Sequence, residues 1–134
     1  MEKNQSQDPK NGVLYAVYGT LRVGFGNNRL LNNEHCTYLG TEITAPKFHM
    51  VSLGGFPGVI LNGKQSITIE VFRVNSKDVE QRLDWLEGYP SFYQKTVIDT
   101  QWGKTNMYIL NDSYLKNKQV ESGDWAKYIN KIID

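Results

Sequence analysis

Residues 66–90 read SITIEVFRVNSKDVEQRLDWLEGYP, and this stretch decides what kind of domain the chain makes. Ser66 to Val74 is dense in β-branched and aromatic residues and predicts a strand. At Asn75 or Ser76 the texture changes to that of a helix. Either residue can cap it, and Val79, Leu83 and Leu86 recur at i, i+4 and i+7 to give one apolar face. Gly88 is placed to end the helix, and Pro90 prevents any continuation.

Working outward, most of the remaining elements read as short strands. Val13 to Tyr18 (VLYAVY) is apolar nearly throughout, the pattern of a strand covered on both faces. Cys36 to Thr44 and Phe48 to Leu53 predict two more, with Pro46 at the corner between them. Gly54-Gly55-Phe56-Pro57-Gly58 is a turn before Val59 to Leu61, and Asn62-Gly63 predicts a hairpin into Ser66 to Val74. Gln94 to Thr100 and Asn106 to Leu110 are further strands, Arg29 to Leu31 a helical turn, and Asp124 to Ile132 a closing helix. The connections are too short for repeated βαβ units. The expected class is therefore α+β, a small mixed, mostly antiparallel β-barrel with two flanking helices.

At 134 residues the chain is expected to hold one domain. Residues 1–12, MEKNQSQDPKNG, are polar and turn-prone and predict a flexible N-terminal arm, leaving 13–134 as the domain. Fifteen Lys and Arg against 14 Asp and Glu give a net charge of +1, which offers no clustered basic surface for nucleic acid. No apolar run approaches the ~18–20 residues that span a bilayer, and the N-terminus lacks a signal-peptide core, so a cytoplasmic protein away from membranes is expected. Cys36 is the single cysteine and makes no internal disulfide. His35 and His49 lack a second ligand at helical or hairpin spacing, and adjacent strand residues His35 and Cys36 point oppositely. No metal site and no Cys–His pair is predicted.

Two features could carry chemistry. GTLRVGFGNN, residues 19–28, follows the buried first strand and holds three glycines. It lacks the Lys-Ser/Thr of a P-loop, and glycines at 19, 24 and 26 do not make the dinucleotide fingerprint. Its backbone amides could cradle a carboxylate or an oxyanion, or the segment could be a plain connection. The second feature is Glu87, at the helix end among Trp85, Tyr89, Phe92 and Tyr93. A carboxylate held among aromatics has its pKa raised, which suits an acid/base near neutrality; the alternative is a solvated helix-end glutamate. Glu70 competes with it, but the strand face it shares with Thr68 and Phe72 is expected to meet solvent. Asp78 and Asp84 read as solvated helix residues.

In order along the chain, these pieces resemble the γ-glutamylcyclotransferase-like proteins, which include the γ-glutamylamine cyclotransferases. Tyr18-Gly19-Thr20-Leu21-Arg22, followed by Gly24, Gly26 and Asn27, is similar to the family's signature loop. Leu83-Asp84-Trp85-Leu86-Glu87-Gly88-Tyr89-Pro90 with Phe92-Tyr93 resembles its second signature. Glu70 to Val74 is similar to the strand before that helix, and Ser122-Gly123-Asp124-Trp125 to the close of the smaller members. The resemblance runs from about Tyr15 to Tyr128, and Ile69 departs from it where many members place glycine.

The resemblance implies an enzyme that converts an L-γ-glutamyl amine or peptide into 5-oxoproline and free amine. The substrate's α-amine attacks its own γ-carbonyl, so neither metal nor organic cofactor is required. On this resemblance Glu87 is the acid/base and the backbone of Gly19, Thr20 and Leu21 holds the glutamyl group. Tyr18 anchors the loop, and Tyr93 orients Glu87 or lines the pocket. The alternative is a non-catalytic module of the same fold that binds a small γ-glutamyl or similar polar ligand.

Overall fold

The structure is a computed structural model and describes residues 12–133. Apart from Gly12, the arm expected over residues 1–12 lies outside the described residues. Among the described residues seven strands and two helices follow in the order β1 (Val13–Val17), β2 (Cys36–Ile43), β3 (Phe48–Ser52), β4 (Pro57–Leu61), β5 (Thr68–Val74), α1 (Lys77–Glu87), β6 (Gln94–Thr100), β7 (Gly103–Ile109) and α2 (Trp125–Ile133). Short 3-10 turns lie at Gly26–Leu30 and Asp112–Lys116.

The apolar run of β1 is explained by its place. It is the middle strand of a five-stranded sheet ordered β2-β5-β1-β7-β6, antiparallel to β5 and parallel to β7, while the other pairings are antiparallel. Strand periodicity sends Leu14, Ala16 and Tyr18 into one apolar cluster with Ile69, Val71, Met107 and Trp125. Tyr15 and Val17 enter the other, with Val79, Leu83 and Tyr108. Both faces of the sheet are thus covered, as a continuous apolar strand requires.

The helices follow their local signals. Ser76 Oγ accepts the Val79 amide at 3.2 Å, capping α1. Gly88 ends it in the left-handed region at φ 67° and donates back to the last turn. Asp124 Oδ1 accepts the amides of Ala126 at 3.0 Å and Lys127 at 3.3 Å, so α2 starts one residue later than its predicted Asp124. Among the described residues no helix is long and apolar enough to cross a membrane.

Two expectations fail. The sheet does not close into a barrel: β3 and β4 form a separate two-stranded ribbon, tied to the rest by bridges such as Ile60 to Leu110 and Val51 to Gln119. Nor does Asn62-Gly63 make a β4–β5 hairpin. Asn62 has the positive φ of 66° that such a turn needs. Yet β4 pairs with β3, and the Gly63 amide donates to the Lys47 carbonyl at 3.0 Å, so the chain crosses from the ribbon into the large sheet. The turn dipeptide specified a local bend, and the partner strand was chosen by packing.

Candidate active site

Where β1 ends, residues 18–28 fold back over the sheet. The bend is held from its carbonyl side. The Gly19 carbonyl accepts the Arg22 amide at 3.0 Å, the Thr20 carbonyl the Asn27 amide at 3.1 Å, and the Arg22 carbonyl the Phe25 amide at 3.0 Å. Asn28 Nδ2 donates to the Leu21 carbonyl at 2.9 Å, and Asn27 Nδ2 to Thr20 Oγ1 at 2.8 Å. Among the described residues no acceptor takes the amides of Gly19, Thr20 or Leu21. Successive amides without an internal acceptor are available to bind an anion.

Gly19 owes its identity to a close approach. A Cβ there would lie 2.7 Å from Pro57 Cδ, at the start of β4.

Arg22 pins the loop from below. Its Nε donates to Glu70 Oε2 at 3.0 Å and its Nη1 to Asp124 Oδ1 at 2.9 Å, while Glu70 Oε1 accepts the Val23 amide at 2.7 Å. Burial alone would raise the Asp124 carboxyl, but the guanidinium and the helix amides hold it below the usual range. Glu70 is therefore not on a solvent face. It is 6% exposed, because the loop after β1 folds across this part of β5. The sequence pattern gives the face of Glu70 but not what covers that face.

A cleft of about 400 Å³ opens between this loop, the start of β4 and the end of α1. Tyr18, Gly19, Thr20, Leu21, Glu87 and Tyr93 all line it, so the structure brings together every site residue read from the sequence. Tyr18 donates its hydroxyl to the Tyr108 carbonyl at 2.8 Å, tying the loop's base to β7. Tyr93 donates to the Pro57 carbonyl at 2.6 Å, so its hydroxyl is committed to the cleft wall.

Glu87 stands at the last position of α1, and burial pushes its carboxyl up to about 7. No hydrogen-bond donor reaches it among the described residues, and nothing offsets the desolvation. Tyr18, Tyr93 and Tyr108 are pushed above the ordinary phenol range, first by burial and further by neighbours that include the Glu87 carboxylate. The site can thus hold a carboxyl that exchanges a proton near neutrality, beside a row of open amides.

One turn earlier, Asp84 was expected to be solvated. It accepts the Tyr108 hydroxyl at 2.6 Å and pairs with Lys95 Nζ at 2.9 Å, and Lys95 lies 4.6 Å from the centre of the Tyr89 ring. These contacts fix α1 to β6 and β7 just before Glu87. Asp78, by contrast, pairs with Arg82 one turn on, and both are exposed.

Sequence reasoning missed Phe56 and Tyr108 as cleft residues. Phe56 reads as part of a turn and Tyr108 as an ordinary strand residue, and no local pattern distinguishes them. Among the described residues no group of three or more His, Cys, Asp or Glu is placed to hold a metal. Burial pushes the Cys36 thiol up to about 11 despite a hydrogen bond from Asn33, which keeps it protonated and unreactive at neutral pH.

Comparison with known proteins agrees with this architecture. A Vibrio cholerae protein provisionally named a gamma-glutamylcyclotransferase is 35% identical over 116 residues, which are 87% of this chain and 97% of that protein. A crystal structure of a Pyrococcus horikoshii protein superposes with a TM-score of 0.76 at 25% identity, covering 90% of this chain and 96% of the other. A mouse AIG2-like protein gives 0.69 at 25% identity, over 84% and 88%. The profile described as gamma-glutamyl cyclotransferase, AIG2-like matches residues 15–127, the span that includes the loop, Glu70, Glu87 and Asp124. The chain belongs to that family.

Proposed function

We propose that the protein is a cofactor-independent γ-glutamylamine cyclotransferase-like enzyme. The observation that carries this reading is the carboxyl of Glu87, raised to about 7, in one cleft with the open amides of Gly19, Thr20 and Leu21. Ionised Glu87 takes a proton from the substrate's α-ammonium. The freed amine attacks the γ-carbonyl carbon, forming the ring C–N bond. Negative charge develops on the carbonyl oxygen, where backbone N–H groups can stabilise it. As the ring closes, the α-nitrogen gives up a second proton. Glu87 delivers one proton to the leaving nitrogen, the amide C–N bond breaks, and 5-oxoproline and the amine depart; the other proton goes to the amine or to water.

Tyr18 would hold the loop at its base, and Tyr93 would shape the wall rather than orient Glu87, since its hydroxyl is taken by Pro57. The direct test is incubation with γ-glutamyl amides and detection of 5-oxoproline by mass spectrometry. Tight binding without 5-oxoproline would leave a small-ligand-binding module in its place.

Two further outcomes follow from the site's composition. A chelator should leave turnover unchanged, because the reaction needs no Lewis acid; activity lost to a chelator and restored by a divalent metal would contradict this. Gly19→Val should raise KM by ~10-fold or more and also lower Tm, because its side chain drives Pro57 out of the wall. Unchanged substrate affinity in a folded Gly19→Val protein would remove the loop from the binding site.

A further inference from the structure

The outer part of the cleft is apolar and has no charge to offer. Phe56, Pro57, Leu86 and Phe92 line it, and among the described residues Glu87 is the one charged group in the whole lining. The tyrosine hydroxyl protons of the lining are already engaged. The hydroxyls of Tyr18, Tyr93 and Tyr108 donate to the Tyr108 carbonyl, the Pro57 carbonyl and Asp84 respectively, and the Asn27 amide group to Thr20. Phe56 and Phe92 meet edge to face with centres 6.3 Å apart, and Phe92 meets Tyr93 likewise at 4.9 Å. Ring faces here are met by ring edges rather than arranged as a cage for a cation. Even so, Phe56 is 38% exposed and Phe92 and Leu86 each 36%, an apolar rim continuous with the proposed reaction centre.

We propose that the amine released by this site carries an apolar, charge-free chain beyond its nitrogen, an alkylamine or arylalkylamine whose chain lies against Phe56, Leu86 and Phe92. This rests on the cyclisation reading above and specifies its substrate class. The glutamyl part takes the open amides and Glu87, so the tail beyond the scissile nitrogen meets only the apolar rim. A tail carboxylate would lose water near the Glu87 charge, and a tail ammonium would lose water against the apolar rim of Phe56, Leu86 and Phe92. An alkyl tail instead gains by leaving water. The reaction stays as written: the ring C–N bond forms, the amide C–N bond breaks, and the protons pass from the α-nitrogen to the departing amine and solvent.

The test compares three amides of similar reach that differ in tail charge: γ-glutamyl pentylamide, γ-glutamyl 4-aminobutylamide and γ-glutamyl-4-aminobutyrate. Initial rates of 5-oxoproline release by the purified full chain would give kcat/KM for each. The pentylamide is expected to exceed both others by at least ~10-fold, the discrimination that even a small apolar difference gives in an apolar pocket. Phe56→Ser should shrink that ratio severalfold. Equal values, or preference for either charged tail, would overturn the substrate class while leaving cyclisation intact. If none of the three amides yields 5-oxoproline, the cyclisation reading fails and the substrate class with it.

Discussion

Glu87→Gln is expected to reduce 5-oxoproline release by about 10²–10⁴-fold, the usual contribution of a positioned acid/base group, while ligand binding persists. Glutamine keeps the size and the polarity of the side chain but cannot take up the proton. In the unaltered protein kcat/KM should rise with pH and level off above about 7, since the working form at the outset is the ionised carboxylate. That limb should vanish in Glu87→Gln. Stability should move the other way. Folded Glu87 holds its proton up to about 7, whereas an unfolded glutamate releases it near ~4.3. Between those values the folded state binds the extra proton, so the cost of an ionised Glu87 grows through that window and persists above it. Glu87→Gln should therefore melt no lower than the unaltered protein at about pH 8, with its advantage shrinking towards pH ~4. Near-full activity in Glu87→Gln, with activity abolished in Glu70→Gln, would show that the other carboxylate moves the proton.

Arg22→Met should cost stability on a scale that no surface change reaches. The Arg22 and Glu70 side chains are only 10% and 8% exposed, and Arg22 also holds Asp124 at the start of α2. Removing the guanidinium leaves Glu70 buried with the Val23 amide as its remaining donor. Breaking a buried pair in this way typically costs ~3–5 kcal/mol, or a fall in Tm of ~10 °C or more for a domain of this size. Replacing the orphaned charge as well, in Arg22→Met with Glu70→Gln, should recover part of that loss, because the two changes share one interaction. Since Arg22 lies in the loop whose residues Gly19 to Leu21 line the cleft, the surviving Arg22→Met protein should also bind γ-glutamyl amides more weakly. Thermal unfolding within ~2 °C of the unaltered protein would mean that the triad does not hold the loop.

Several elements were legible because their causes are local. The cap at Ser76, the stop at Gly88 and the apolar stripe of Val79 and Leu83 act within a few residues of one another, and α1 appears where they place it. The unbroken apolar run of β1 marked a strand covered on both sides, and it is the middle strand. Glu87 stood out from its aromatic neighbours and its place at a helix end, and the cleft contains it. Glu70 and Asp84 were misread for a common reason. A carboxylate in a strand or helix shows its face by periodicity, yet Arg22 lies 48 residues from Glu70, and Tyr108 lies 24 from Asp84.

The chain's order of strands, the limits of α1 and the residues of its two signature segments are properties of the sequence alone, since capping, turn formation and side-chain alternation are short-range effects. Tertiary structure decided the rest. It set β7 parallel to β1 and kept β3 and β4 as a ribbon instead of closing a barrel. It also placed Tyr18 against Tyr108, 90 residues away, to join the loop to the far side of the cleft. Such contacts form only when the apolar faces of distant strands are buried together. A local pattern can announce that a face must be covered, but the partner that covers it is selected by how the whole core packs.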